Sequence, residues 1–217
     1  MGGSGKVMLN YLQWPVEELF QRAASPAPEP GGGGVSAMTG CLASGMLAMV
    51  ARITRGKDKY RDVEQEIGEL IENIDLQMEK MKALAHQDME AFHHFMEALA
   101  LPKETGEQKA LREASRQQAA ILSAGVPLDI ARACLNNLEA AARLAAIGSP
   151  LAISDVGVGA HLLEASLKGA LMMVDANLPY IGDGKMVYHL TAEKERLTLE
   201  GEELCRTTLE TVKARMK

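Results

Sequence analysis

The sequence predicts an all-α protein, and three observations carry that expectation. Helix formers (Ala, Leu, Glu, Met and Lys) dominate its 217 residues. Runs of β-branched or aromatic residues with period-two alternation are hard to find. Only 4% of residues are aromatic against 47% hydrophobic, so the core must be aliphatic. That length and apolar content suffice to bury a proper core in one domain.

The elements follow in order. Residues 1–8 read as a flexible leader, beginning Met1-Gly-Gly-Ser-Gly. Leu9, Leu12, Val16, Leu19 and Phe20 recur at helical spacing, giving a first helix over 9–24 that the prolines of 26–30 stop. A second helix is expected from about 34 to 55, with Gly56 as its C-terminal stop. A third runs from about 58 to 99, its stripe made of Tyr60, Val63, Ile67, Leu70, Ile71, Ile74, Met78, Met81, Leu84 and Ala85. At 1.5 Å per residue it makes a rod of roughly 60 Å, which outreaches a compact monomer and suggests a dimer. Further helices are expected over 105–125, 127–147, 154–181 and 192–216, divided by Gly-Val-Pro at 125–127, Gly-Ser-Pro at 148–150 and Gly-Asp-Gly at 182–184. The sum is a single-domain bundle of about six to seven helices spanning 9–217.

Charge and cysteine usage exclude several classes. The formal charge of −6 has no strongly basic face, so nucleic acid is not an expected partner. Cys41, Cys134 and Cys205 are odd in number and far apart, which suits a reducing, cytoplasmic compartment and no disulfide framework. The uncharged stretch 35–50 reads as too short and too rich in Gly, Ser and Thr to cross a membrane.

The most informative local feature is Pro30-Gly31-Gly32-Gly33-Gly34-Val35, a glycine run opening onto a helix of small residues. Glycine N–H groups and the free N–H groups of a helix start together suit an anionic or carbonyl-bearing ligand. Within that helix Ser36, Gly40, Ser44 and Ala48 fall on one stripe, beside Ala37, Cys41 and Gly45. Small residues at this spacing suit tight helix packing, in the core or at a dimer seam, or a ligand groove. Arg52, Arg55, Lys57, Lys59 and Arg61 form the one basic cluster, at the end of the same helix and about 30 Å from the glycines. Cations there complement the helix dipole.

Among titratable groups, Asp88 shares the angle of Met81, Leu84, Ala91, Phe92 and Phe95 and so faces inward. A buried acid needs a partner or a raised pKa, which makes it a functional candidate; the alternative is a carboxylate that caps or braces a neighbouring helix. Asp155 follows Ser154, read as an N-cap, and precedes Gly157 and Gly159. His86, Glu90, His93 and Glu97, with His94 nearby, have a spacing able to ligate metal. Their face lies opposite the Asp88 stripe and is expected to meet water. His161 and His189 show no accompanying pattern of carboxylates or cysteines.

At this point the residues carry a resemblance. Pro30-Gly-Gly-Gly with Val35, then Met49-Val50-Ala51-Arg52, Thr54, Gly56-Lys57 and Tyr60, resembles the opening motif of the cyclodeaminase/cyclohydrolase family. That family includes the C-terminal domain of formiminotransferase-cyclodeaminase and free-standing bacterial methenyltetrahydrofolate cyclohydrolases. The likeness continues in order through Asp88, Glu90-Ala91-Phe92, Leu101-Pro102-Lys103, Val126-Pro127, Gly148, Ser154-Asp155 and Asn177-Leu178. Three positions depart from the family pattern: Gly34 replaces a serine, Ser149 an asparagine and Met173 an asparagine, each removing a polar group.

The resemblance implies an all-helical homodimer acting on a one-carbon derivative of tetrahydrofolate. The reaction is closure of 5-formiminotetrahydrofolate to 5,10-methenyltetrahydrofolate with loss of ammonia, or hydrolysis of the methenyl bridge. Either needs a general acid/base and positioned polar donors, for which Asp88 and Asp155 are the candidates. Neither requires a metal or a cofactor beyond the folate substrate. Pro30, Gly31, Gly32, Gly33, Gly34, Arg52, Lys57, Tyr60, Ser154 and Asn177 are the expected binding residues. Asn177 suits the amide-like edge of a pterin, and Arg52 with Lys57 a folate's glutamate tail. The other class left open is a family member that binds a folate-like ligand, or serves as a structural helical dimer, without turning it over.

Overall fold

The computed structural model describes residues 11–26 and 29–216. The expected leader and the first residues of the expected first helix lie outside that range. Six helices organise the described residues: α1 (Val16–Ala23), α2 (Gly32–Thr54), α3 (Glu64–Ala100), α4 (Gly106–Ile147), α5 (Ile153–Asn177) and α6 (Gly184–Arg215). Short 3-10 turns at Tyr11–Gln13, Asp58–Val63, Pro150–Ala152 and Leu178–Tyr180 join them. No strand occurs among the described residues.

α2 and α4 are the inner helices. α2 lies against α3, α4 and α5, while α4 lies against α2, α3, α5 and α6. The core they enclose is aliphatic, with Leu47, Ile67, Ile74, Met81, Ile130, Leu138, Leu144, Leu163, Leu167 and Leu197 fully buried. The α3 stripe is as expected at Ile67, Ile71, Ile74, Met81, Leu84 and Ala85. Both α2 and α4 are long and apolar enough to cross a membrane by length and composition. The estimate from 35–50 alone undercounted α2, which has 23 residues. Their apolar length is used here to fill the centre of a bundle.

The small-residue stripe resolves as core packing. Ser36, Gly40, Ser44 and Ala48 are all buried. A Cβ on Gly40 would lie 2.5 Å from Met81 Sδ, 3.1 Å from Ser166 Oγ and 3.3 Å from Cys134 Sγ. Ser44 Oγ accepts from Asn137 Nδ2 at 2.7 Å and donates to the Gly40 carbonyl at 2.7 Å, tying α4 to α2. The ligand-groove alternative has no room on this face.

Several boundaries differ from the sequence expectation. α1 starts at Val16 because Pro15 occupies its N-cap, a position suited to a fixed φ and a missing N–H. None of its residues is buried. Asp58–Val63 forms a separate 3-10 turn with Tyr60 at φ −115°, so the rod begins at Glu64. The helices expected on either side of Gly125-Val126-Pro127 are one helix of 42 residues with Pro127 inside it. Proline removes the N–H that would bond the carbonyl four residues earlier, at Ser123. Asn177 Nδ2 from α5 supplies the missing donor at 3.1 Å. α4 therefore runs the length of α3, and the reach of α3 is no longer an argument for a dimer.

Ser154 is not an N-cap: α5 begins one residue earlier, after the Pro150–Ala152 turn, and Ser154 is exposed within its first turn. α6 begins at Gly184, where Asp183 accepts from Lys185 N at 2.9 Å and Met186 N at 3.3 Å. Thr105 and Gln108 form a capping box at the start of α4. Gly56 at φ +75° ends α2 as expected, because that backbone conformation favours glycine.

Gly40→Ala should therefore lower stability by about 1–3 kcal/mol, through overpacking against Met81, Ser166 and Cys134. Gly68→Ala, where a Cβ meets open space on α3, should raise it by about 0.5–1 kcal/mol. Urea unfolding followed by circular dichroism reads both; equal effects would contradict this packing.

Candidate functional site

The glycine run is mostly helix. Gly31 is the N-cap of α2 and Gly32–Gly34 form its first turn, where the helix offers N–H groups and a positive dipole end. No side chain of α2 caps them. The capping anion comes instead from α3: Gly34 N donates to Asp88 Oδ2 at 2.8 Å. The N–H at Gly34 that looked free for a ligand is thus occupied by the protein's own carboxylate.

This contact explains why glycine stands at position 33. A Cβ there would fall 2.1 Å from Asp88 Oδ1 and 2.5 Å from its Cγ, closer than atoms can pack. Burial pushes the Asp88 carboxyl above the usual carboxylate range, and the Gly34 N–H pulls it partly back. Asp88 is thus a half-buried acid whose protonated form is favoured more than it would be in water.

Asp88 lines a cavity of about 250 Å³, together with Glu29, Gly31, Gly32, Met89, Phe92, Phe95, Ser123, Met173 and Asn177. Four elements meet there: the segment before α2, the middle of α3, the centre of α4 and the end of α5. Asn177 donates both amide protons to backbone carbonyls, of Ser123 at 3.1 Å and Met173 at 2.8 Å. Its Oδ1 is left as an acceptor for whatever enters. Ser123 Oγ donates to the Ala91 carbonyl at 3.3 Å, joining α4 to α3 behind the cavity. Phe95 meets Tyr180 edge-on, with ring centroids 5.1 Å apart. Met173, at a position where the resemblance led us to expect asparagine, packs its thioether against Gly32.

Glu29 escaped the sequence reading, which placed His93 on a water-facing, metal-capable constellation. His93 Nε2 lies 2.7 Å from Glu29 Oε1, so this half-exposed histidine also reaches the segment that lines the cavity. His86 faces Glu90 at 3.7 Å and His94 faces Glu97 at 3.6 Å. The four-residue metal constellation considered on α3 is therefore dispersed. Ser123 was also missed; its signal was the proline four residues later, which frees its carbonyl.

The other expected site residues lie elsewhere. Arg52, Lys57, Tyr60, Ser154 and Asp155 are at the far end of α2, joined to the start of α5 through Ser149 N donating to Thr54 Oγ1 at 2.9 Å. By the length of α2 this is about 30 Å from Asp88. Asp155 is half-buried in the first turn of α5. Gly157 and Gly159 face Val212 and Leu47, so they serve helix packing. The basic cluster is largely paired internally: Arg52 with Asp75 at 2.6 Å, Arg55 with Glu64 at 3.7 Å and Arg61 with Asp58 at 2.6 Å. One protomer thus brings the glycines, Asp88 and Asn177 together but not Asp155 or the cations. A larger hollow of about 650 Å³, near His94, Glu97 and Leu122, is an open surface groove that Asp88 does not reach.

Known proteins are similar to this chain over most of its length. A family model described as formiminotransferase-cyclodeaminase matches residues 15–213. A methenyltetrahydrofolate cyclohydrolase of Methylorubrum extorquens is 33% identical over 201 residues, covering 93% of this chain and 97% of that protein. A formimidoyltransferase-cyclodeaminase of Gallus gallus is 30% identical over 190 residues, 87% of this chain but 35% of its own length. The crystal structure of formiminotetrahydrofolate cyclodeaminase from Thermotoga maritima matches with a TM-score of 0.85 at 28% identity, covering 94% of this chain and 98% of that one. Because the family match runs from the residue before α1 to the last turn of α6, through Asp88 and Asn177 alike, the chain belongs to the formiminotransferase-cyclodeaminase family.

Proposed function

We propose that the chain is an enzyme of tetrahydrofolate one-carbon metabolism that makes or opens the bridge between N5 and N10, with Asp88 as its acid/base. The observation that carries this reading is the half-buried Asp88 carboxyl, held by the first turn of α2 in a cavity whose other polar side chains are Glu29, Ser123 and Asn177. The full-length likeness to a cyclohydrolase supports hydrolysis of 5,10-methenyltetrahydrofolate; the likeness to the Thermotoga maritima cyclodeaminase supports closure of the 5-formimino substrate.

Both reactions pass through a tetrahedral carbon between nitrogens. In hydrolysis, water adds to the methenyl carbon and gives a proton to the Asp88 carboxylate. That proton then goes to the nitrogen whose bond to the carbon breaks, while the added hydroxyl becomes the formyl carbonyl and its remaining proton leaves to solvent. In cyclodeamination, N10 adds to the carbon of the protonated formimino group, and the N10 proton passes through Asp88 to the departing NH2, which leaves as ammonia. Phe92 and Phe95 offer apolar walls for the flat pterin, and Asn177 Oδ1 an acceptor for its ring N–H groups. A cavity of about 250 Å³ takes the pterin and the bridge while the benzoylglutamate extends outside. The tetrahydrofolate derivative is the substrate, and no further cofactor enters these steps. The unpaired thiols Cys41, Cys134 and Cys205 fit a cytoplasmic setting.

A homodimer is part of this reading. Val35, Leu42 and Met49 repeat every seven residues on α2 and are exposed by 41%, 70% and 37%. A Cβ on Gly45, on the same helix, would meet open space. Two copies of α2 laid antiparallel about Leu42 would cover this stripe, setting Val35 of each copy against Met49 of the other. The same arrangement brings Arg52, Lys57, Tyr60, Ser154 and Asp155 of one copy toward the Pro30–Gly34 run of the other. There the cations serve the folate's glutamate tail.

Asp88→Asn should cut turnover by about 10²–10⁴, read from the methenyltetrahydrofolate absorbance band with either substrate. Undiminished turnover would exclude Asp88 from the chemistry. A raised carboxyl pKa means that folding favours the protonated acid, a contribution present below about pH 4 and lost as pH rises through the folded value. Asp88→Asn should therefore melt no lower than the parent at neutral pH, with any advantage shrinking on acidification. Gly33→Ala, which displaces Asp88 from Gly34, should reduce turnover by about 10² and stability by about 1–3 kcal/mol. Leu42→Glu should turn a dimer into a folded monomer by light scattering, whereas a native chain that is monomeric at micromolar concentration would refute the proposed interface.

A further inference from the structure

His161 and Glu164 stand three residues apart on α5, so their side chains leave the same face of that helix. Cys205 of α6 packs against them and is only 2% exposed. One ligand atom from each of the three lies within 4.8 Å of the others. Sequence spacing hid this group because Cys205 is 41 residues beyond Glu164 and on another helix.

We propose that His161, Glu164 and Cys205 form a zinc-class metal site that clips α5 to α6. An imidazole nitrogen, a carboxylate oxygen and a thiolate sulfur are the donors of three-ligand tetrahedral zinc sites, with water in the fourth position, and a thiolate disfavours magnesium and calcium. The exposed His161 leaves the group open to solvent on one side, which provides an entry path. The charges balance: a divalent ion offsets the thiolate and Glu164. Lys168 bonds Glu164 Oε1 at 2.8 Å and Glu202 Oε1 at 2.9 Å, so its own charge is met by Glu202 while it orients the ligating carboxylate. A carboxylate has a second oxygen, which stays available to the ion.

Without metal the Cys205 thiol donates to the Ala160 carbonyl at 3.7 Å. Burial and the neighbouring Glu164 keep it protonated, pushed up to about 12. On binding, the S–H bond breaks, the metal–sulfur bond forms and the proton leaves to solvent, with no change of oxidation state. The site lies sixteen residues along α5 from Asn177, about 24 Å from the Asp88 cavity. Its role is to fasten two helices, independent of the folate chemistry proposed above.

The test uses the full reduced chain and cobalt(II), followed by titration with zinc. One cobalt per chain should give a thiolate-to-cobalt charge-transfer band together with the visible bands of four-coordinate cobalt, and zinc should abolish both. Zinc at about 100 times its dissociation constant should raise the melting temperature by about 5–10 °C. Cys205→Ser should lose the charge-transfer band and the zinc-dependent rise. His161→Ala, at an exposed position, should melt like the parent without metal yet bind at least tenfold more weakly. A native chain with no thiolate band, or with six-coordinate cobalt alone, would overturn the proposal. So would a band of equal strength in Cys205→Ser, which would assign the thiolate to Cys41 or Cys134.

Discussion

The architecture depends on how closely α2 can approach three neighbouring helices at once. Helices carrying ordinary side chains cross at 8–10 Å, and the small residues of α2 let its backbone enter a space that larger ones would fill. Gly40 admits Met81 of α3 and leaves room for Ser166 and Cys134, while Gly33 admits Asp88. Glycine in a helix costs conformational entropy, about 0.5–1 kcal/mol against alanine. At Gly33 and Gly40 that cost is offset by contacts no larger residue permits. The same constraint serves core and site, since α2 brings its N-terminal turn to the middle of α3 only because its body is seated so deeply.

That placement determines the electrostatics of the cavity. A carboxylate taken from water into an aliphatic bundle is unfavourable unless it is hydrogen-bonded. Asp88 receives one N–H bond and the positive end of a helix dipole, enough to hold it in place but not to cancel the effect of burial. The result is a carboxyl whose protonated form is favoured more than in water. Across the cavity, Pro127 has a related effect by subtraction. Its missing N–H frees the Ser123 carbonyl, which captures one Asn177 amide proton and so orients the amide. A helix defect in α4 thereby positions a polar group on α5.

The two ends of the bundle differ in character. At one, α2 begins, Asp88 and Asn177 converge, and aromatic side chains line a hollow. At the other, arginines pair with nearby acids and α5 starts beside the buried Ser149. A single protomer keeps these ends a helix length apart. The exposed stripe on α2, symmetric about Leu42, is the feature through which a second copy would join them.

Sequence alone determined the helical class, the inward stripe of α3, the inward face of Asp88 and the small face of α2, because each is a local periodicity that a neighbour can only confirm. It also carried an ordered set of motifs from Pro30 to Asn177. Tertiary structure decided what periodicity cannot encode. Pro127 lies inside a helix because Asn177, fifty residues later, satisfies the carbonyl that the proline orphans. The N–H of Gly34 is taken because α3 brings a carboxylate to it. Glu29 enters the cavity from a loop with no pattern to mark it, Ser123 from a helix centre marked by no more than the proline four residues on, and Cys205 reaches His161 from another helix. Each is a meeting of residues distant along the chain, fixed by packing geometry and the need to satisfy buried polar groups.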